Sequence, residues 1–98
     1  MRLPDYFSED GISVLFYLYD HKNETIKKGT LRNEVIKTYA ILVHVLDNLE
    51  KKNLIYVEPE TVRSKGQVVK ILPLGEKLVI GLRELDNLLF SEDNNANL

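Results

Sequence analysis

Between Thr38 and Leu89 the apolar residues change their spacing twice. Leu42, Val45, Leu46 and Leu49 recur at i, i+3, i+4 and i+7, the stripe of an amphipathic helix that buries one face. A few residues on, LIYVEP (54–59) and QVVKIL (67–72) are rich in β-branched and apolar residues. Between them TVRSKG (61–66) holds Ser64 and Gly66, so the region reads as a β-hairpin with a basic tip. Pro73 then takes the first position of a last helix, where its missing N–H costs nothing. Leu74, Leu78, Leu82, Leu85 and Leu89 form the stripe of that helix, with Val79, Ile80 and Leu88 apolar outside it. A helix, a hairpin and a helix within so short a span leave few architectures open.

Upstream, Ser8 followed by Glu9 and Asp10 marks a helix start, with a capping hydroxyl and then acids where the helix dipole favours them. This helix is expected to run to Asp20 or His21. Ile12, Leu15, Phe16 and Tyr19 form one stripe; Val14, Tyr17 and Leu18 form a second on the other side. A helix lying on a protein surface needs only one, so the second predicts a subunit interface. Val14, Tyr17, Leu18, Val79, Ile80 and Leu88 are the candidate two-fold contacts, with Leu3, Tyr6 and Phe7 beside them. Thr25 and Ile26 suit a short extended stretch. Thr30, after Gly29, is expected to cap a second helix ending near Ile36, with Leu31 and Val35 inside. Thr38 is expected to cap the third, from Tyr39 to about Lys52. The second and third helices lie as close together as those of a helix-turn-helix. The fold class is therefore α+β, mostly α. Residues 1–90 are expected to form one domain, and SEDNNANL (91–98) a disordered tail.

The chain has 98 residues, no cysteine and a formal charge of −2. Disulfide frameworks, thiolate metal sites and cysteine nucleophiles are excluded. No apolar run approaches the ~18 residues of a membrane span, and MRLPDYFSEDG lacks the shape of a signal peptide, so a cytoplasmic location without membrane contact is expected. No phosphate loop, nucleophile elbow or His–carboxylate cluster is present, which argues against an enzyme and against a cofactor or metal. Charge is unevenly distributed. Residues 22–70 hold ten Lys/Arg against six Asp/Glu, while 1–21 and 71–98 are each net −3. A basic centre between acidic ends suits a protein whose middle faces phosphates.

The order of helices and hairpin matches the winged-helix plan, and the local sequence adds to it. LDNLEKKNLI (46–55), then Arg63, Lys65 and Gly66, then KILPLGEKL (70–78) resembles the stretch of MarR-like regulators where the recognition helix ends, the wing turns and the last helix begins. That family commonly has glycine where Asn53 stands, and Asn tolerates the left-handed backbone a helix C-terminus requires. It usually has Leu-Thr where Leu72 and Pro73 stand. The resemblance spans about residues 9–89. It implies a dimeric DNA-binding regulator of transcription that places its third helix in the major groove.

On that helix Ala40, Val43, His44 and Asp47 lie on one face, with Tyr39 at its start. Ala40 and Val43 suit thymine methyls, His44 a guanine or a phosphate, Tyr39 a phosphate, and Asp47 a cytosine amine or an ion pair with His44. Thr30 and Thr38, with Lys27, Lys28, Arg32 and Lys37 around them, suit the backbone. Arg63, Ser64 and Lys65 at the hairpin tip suit the backbone or the minor groove. The implied partner is a pseudo-palindromic duplex bound by a homodimer. A small-molecule effector is possible, but no residue points to one. The competing reading is a winged-helix module that binds protein instead of DNA, favoured by the apolar Ala40/Val43 face and the acidic total charge.

Overall fold

The computed structural model describes residues 8–59 and 66–96, the last of them (90–96) by their backbone. The first helix, α1 (Glu9–Asp20), starts as its sequence dictates: the Ser8 hydroxyl accepts a hydrogen bond from the Gly11 N–H at 3.1 Å, and Glu9 and Asp10 occupy the first turn. Two short helices follow, α2 (Lys28–Glu34) and α3 (Tyr39–Lys51), then strands β1 (Ile55–Val57) and β2 (Val69–Ile71), and the long α4 (Pro73–Ala96). The strands pair antiparallel with Ile55 opposite Ile71, Tyr56 opposite Lys70 and Val57 opposite Val69. Ile55 and Val69 are buried, whereas Tyr56 and Lys70 face out together, the alternation of a half-buried ribbon. This is the winged-helix order.

α1 lies at the centre, against α3, β2 and α4. That position overturns part of the expected interface. Val14 and Leu18 are buried inside the protomer, and so is Val79 of α4. A helix packed on two sides needs two apolar stripes, so the second stripe of α1 completes the core and is not spare surface. Tyr17 is half-buried, and of the six candidates only Ile80 and Leu88 are exposed. The stripe expected inside α4 shifts correspondingly: Gly75 and Val79 are buried, Leu78 and Leu82 half-buried, and Leu74, Leu85 and Leu89 exposed. Leu3, Tyr6 and Phe7 lie outside the described residues.

α2 begins earlier than expected. Lys27 bridges Val68 and the Lys28 N–H donates to the Gln67 carbonyl at 3.0 Å, so the hairpin satisfies the first amide and no side-chain cap is present. Thr30 is therefore within the helix rather than its cap. The Val69 N–H reaches the Ile26 carbonyl at 2.8 Å, which ties the foot of the wing to the segment entering α2. α3 matches its pattern: Leu42, Val45, Leu46 and Leu49 are all buried. Thr38 holds the N-cap position but makes no side-chain capping bond. Asn53 has φ 60°, the left-handed conformation expected where the chain leaves α3.

α4 continues to Ala96, through residues expected to be a disordered tail, since no glycine or proline follows Leu89 to stop it. Its direction is set by Arg83, whose two terminal nitrogens each donate to one Asp20 carboxylate oxygen at 2.7 Å. The guanidinium also lies 4.6 Å from the Phe16 ring centre and 5.7 Å from that of Tyr19. Hydrogen bonding from Arg83 holds the Asp20 carboxyl below its usual value. A lowered carboxyl contributes stability that is full above the ordinary aspartate pKa and is lost as pH falls through the folded value. The stability gap between wild type and Asp20→Asn is therefore expected to stay constant from pH 7 to pH 5 and to close below about pH 4. Both side chains are more than a third exposed, so solvent screening limits the gap to about 1 kcal/mol. Urea melts at the three pH values measure it, and a gap that persists at pH 3 would mean the pair is not its source.

Candidate nucleic-acid interface

The exposed side of α3 meets α2 at one end and the hairpin at the other. Ala40, Val43, His44 and Asp47 all face outward, with Tyr39 and Ile41 exposed at the helix start. These side chains are out because the buried stripe of α3 turns the other side inward. Two contacts set the helix against its surroundings. The Glu50 carboxylate accepts from the Val57 N–H at 3.1 Å, pinning β1 to the later turns of α3. The Arg32 guanidinium lies 5.7 Å from the Tyr39 ring centre, joining α2 to the start of α3.

The cations are distributed in two ways. Arg32 and Lys37 sit at the start of α3, and Lys28 lines a cleft of about 180 Å³ with Val43, Leu46, Asp47, Glu50, Val57 and Gln67. Among the described residues, Lys27, Lys28 and Lys37 make no ion pair. Other cations of the basic middle are engaged elsewhere. Lys51 pairs with Asp47 at 3.0 Å, Lys70 pairs with Glu58 at 2.8 Å, and Lys22 lies 4.6 Å from the Tyr19 ring centre. The Glu58 bond raises the Lys70 pKa above its ordinary value. The described positive charge that remains unpaired thus belongs mostly to α2 and its flanks.

Some expected contacts take a different form. His44 does not pair with Asp47, because Lys51 one turn further on is the better partner for the carboxylate. Instead His44 Nε2 lies 3.2 Å from Asn48 Nδ2. Asn48 was not among the expected site residues, although its i, i+4 spacing from His44 was visible. Thr38 is exposed between Lys37 and Tyr39, whereas Thr30 is half-buried in α2. Arg63, Ser64 and Lys65 lie outside the described residues. His21, at the end of α1, hydrogen-bonds Glu24 at 2.6 Å, and among the described residues no group of three or more His, Cys, Asp or Glu is arranged to hold a metal. No described helix is long and apolar enough to cross a membrane.

No family model and no curated protein matches the sequence. Solved structures do match in fold. MepR of Staphylococcus aureus in complex with DNA is similar at TM-score 0.75 and 24% identity, over 92% of this chain and 73% of that one. A structure of MepR described as a transcription regulator of the multidrug efflux pump MepA gives 0.70 and 25%, over 91% and 70%. AF1382 of Archaeoglobus fulgidus gives 0.72 at 12% identity, over 85% and 90%. The winged-helix fold is common to this chain and these proteins.

Proposed function

We propose that this chain is a MarR-like winged-helix regulator of transcription that binds duplex DNA as a homodimer, with α3 in the major groove and the hairpin along the backbone or in the minor groove. The observation that carries the reading is the exposed face of α3 flanked by Lys28, Arg32 and Lys37, in a chain whose total charge is negative. Cations gathered beside one helix face place phosphate contacts where that helix enters a groove. MepR, which has this fold, has been captured on DNA, and that likeness supports the same use here. The role is one of binding, without a catalytic step, and a pseudo-palindromic target follows from two-fold symmetry.

Fluorescence anisotropy with duplex DNA over a salt series tests the reading. If a dimer neutralises about six phosphates, log K is expected to fall against log salt with a slope of roughly −5. Lys28→Ala/Lys37→Ala removes four charges from a dimer and is expected to flatten the slope by roughly 3 to 4. The exposed Tyr39, Ile41 and Val43 favour one rival, a module that docks a protein on α3. Absence of duplex binding at ~50 mM salt would decide for that rival.

A further inference from the structure

We propose that α3 reads thymine through its 5-methyl group, so that the pairs beneath Ala40 and Val43 are A·T. This rests on the DNA-binding reading above and specifies what it recognises. Sequence is read at base edges, whereas phosphate contacts fix position and carry no sequence information. The bidentate guanine contact requires Arg or Lys on the groove-facing side of the helix. Ala40, Val43, His44 and Asp47 include neither.

The polar groups on this face are already engaged along the helix. Asp47 is held by Lys51 at 3.0 Å, and the ring of His44 is held by Asn48 at 3.2 Å. The nearest guanidinium, that of Arg32, lies over Tyr39 at the start of α3 and not along the face. Val43 is 38% exposed and Ile41 46%, with Ala40 between them in sequence. The major-groove feature that apolar side chains distinguish is the C5 methyl of thymine, which no other standard base presents. The unpaired Lys28 and Lys37 supply the charge that brings a polyanion to an otherwise apolar surface.

Replacing thymine by uracil removes the methyl and leaves base pairing intact, which isolates the contact. Anisotropy titrations would use the full chain with a duplex of alternating A·T pairs and its A·U counterpart, for wild type and Val43→Ala. Wild type is expected to favour the thymine duplex by about four-fold per methyl contact, hence more than ten-fold for a dimer. Val43→Ala, a truncation at an exposed position, is expected to cut that preference to about four-fold or less. Equal affinity for the two duplexes overturns the proposal while leaving DNA binding intact. So does a preference unchanged in Val43→Ala, which would place its origin in duplex shape. Failure to bind either duplex at ~50 mM salt overturns both this proposal and the DNA-binding reading.

Discussion

Gly75→Ala is expected to destabilise the fold by about 3 kcal/mol, the upper part of the range for overpacking a close contact. Gly75 lies in the first turn of α4, where that helix crosses the end of α3. A Cβ built there would stand 2.3 Å from the Leu54 carbonyl oxygen and 2.8 Å from Ile71 Cγ1. Ile71 can move, but the Leu54 carbonyl cannot do so cheaply. It accepts a hydrogen bond from the Leu72 N–H at 3.0 Å, and Leu54 itself is bonded back to the Leu49 carbonyl at 3.1 Å. Relief would have to come from lifting α4 away from the hairpin, which would expose Val79 and Ile71. In a domain of this size about 3 kcal/mol corresponds to a fall in Tm of roughly 12–24 °C. Gly81→Ala is the matched control on the same helix. No atom lies within 4 Å of a Cβ built there, so alanine is expected to be neutral or to stabilise by about 0.5–1 kcal/mol through helix propensity. Thermal and urea melts of the two variants measure the difference. A Gly75→Ala protein as stable as wild type would mean that α4 does not cross the Leu54 carbonyl.

The glycine also illustrates what the sequence makes legible. α3 could be read directly because it packs on one side only, so its apolar stripe and its exposed face are unmixed. Asn53 could be read because a helix exit imposes a backbone conformation that few residues accept. α1 could not be read correctly, because a helix buried on two sides and a helix serving two subunits carry the same pattern of apolar residues. Burial of Val14 and Leu18 against α3, β2 and α4 is a property of the assembled fold, absent from any local window. The Asp20–Arg83 pair, 63 residues apart in sequence, has no local signal at all. Within the candidate interface, the residue types on α3 were legible, and the engagement of Asp47 by Lys51 and of His44 by Asn48 was a choice among several i, i+3 and i, i+4 possibilities. Thr30 was misplaced because the first amide of α2 is satisfied from the hairpin, across a long stretch of chain, and not by its neighbours.

Leu85→Glu/Leu88→Glu is expected to convert a dimer into monomers, with the dimer dissociation constant rising by more than about 10³-fold. α4 has 24 residues and so spans about 36 Å, while its buried contacts are concentrated in its first turns. Beyond Arg83 the helix presents Leu85, Leu88 and Leu89 at 52%, 57% and 53% exposure. Gly81, Leu85 and Leu88 follow one another at helical spacing, so two large side chains share a face that carries no large residue at its near end. A long helix with an uncovered apolar side is what a two-fold contact would bury, and symmetry counts each substitution twice. Burying a leucine contributes about 2 kcal/mol, so two losses on each protomer, with four carboxylates brought together, exceed what a small interface tolerates. Because neither leucine belongs to the protomer core, the melting profile of the isolated subunit should change little; light scattering and circular dichroism together separate dissociation from unfolding. DNA affinity should fall by about 10²-fold or more, since two linked recognition helices become two independent ones. A wild-type chain that is monomeric by light scattering, or a double variant that stays dimeric, would place the subunit contact elsewhere. It would also remove the symmetry argument for a pseudo-palindromic site, leaving α3 as a single reader whose affinity rests on Lys28, Arg32 and Lys37 alone.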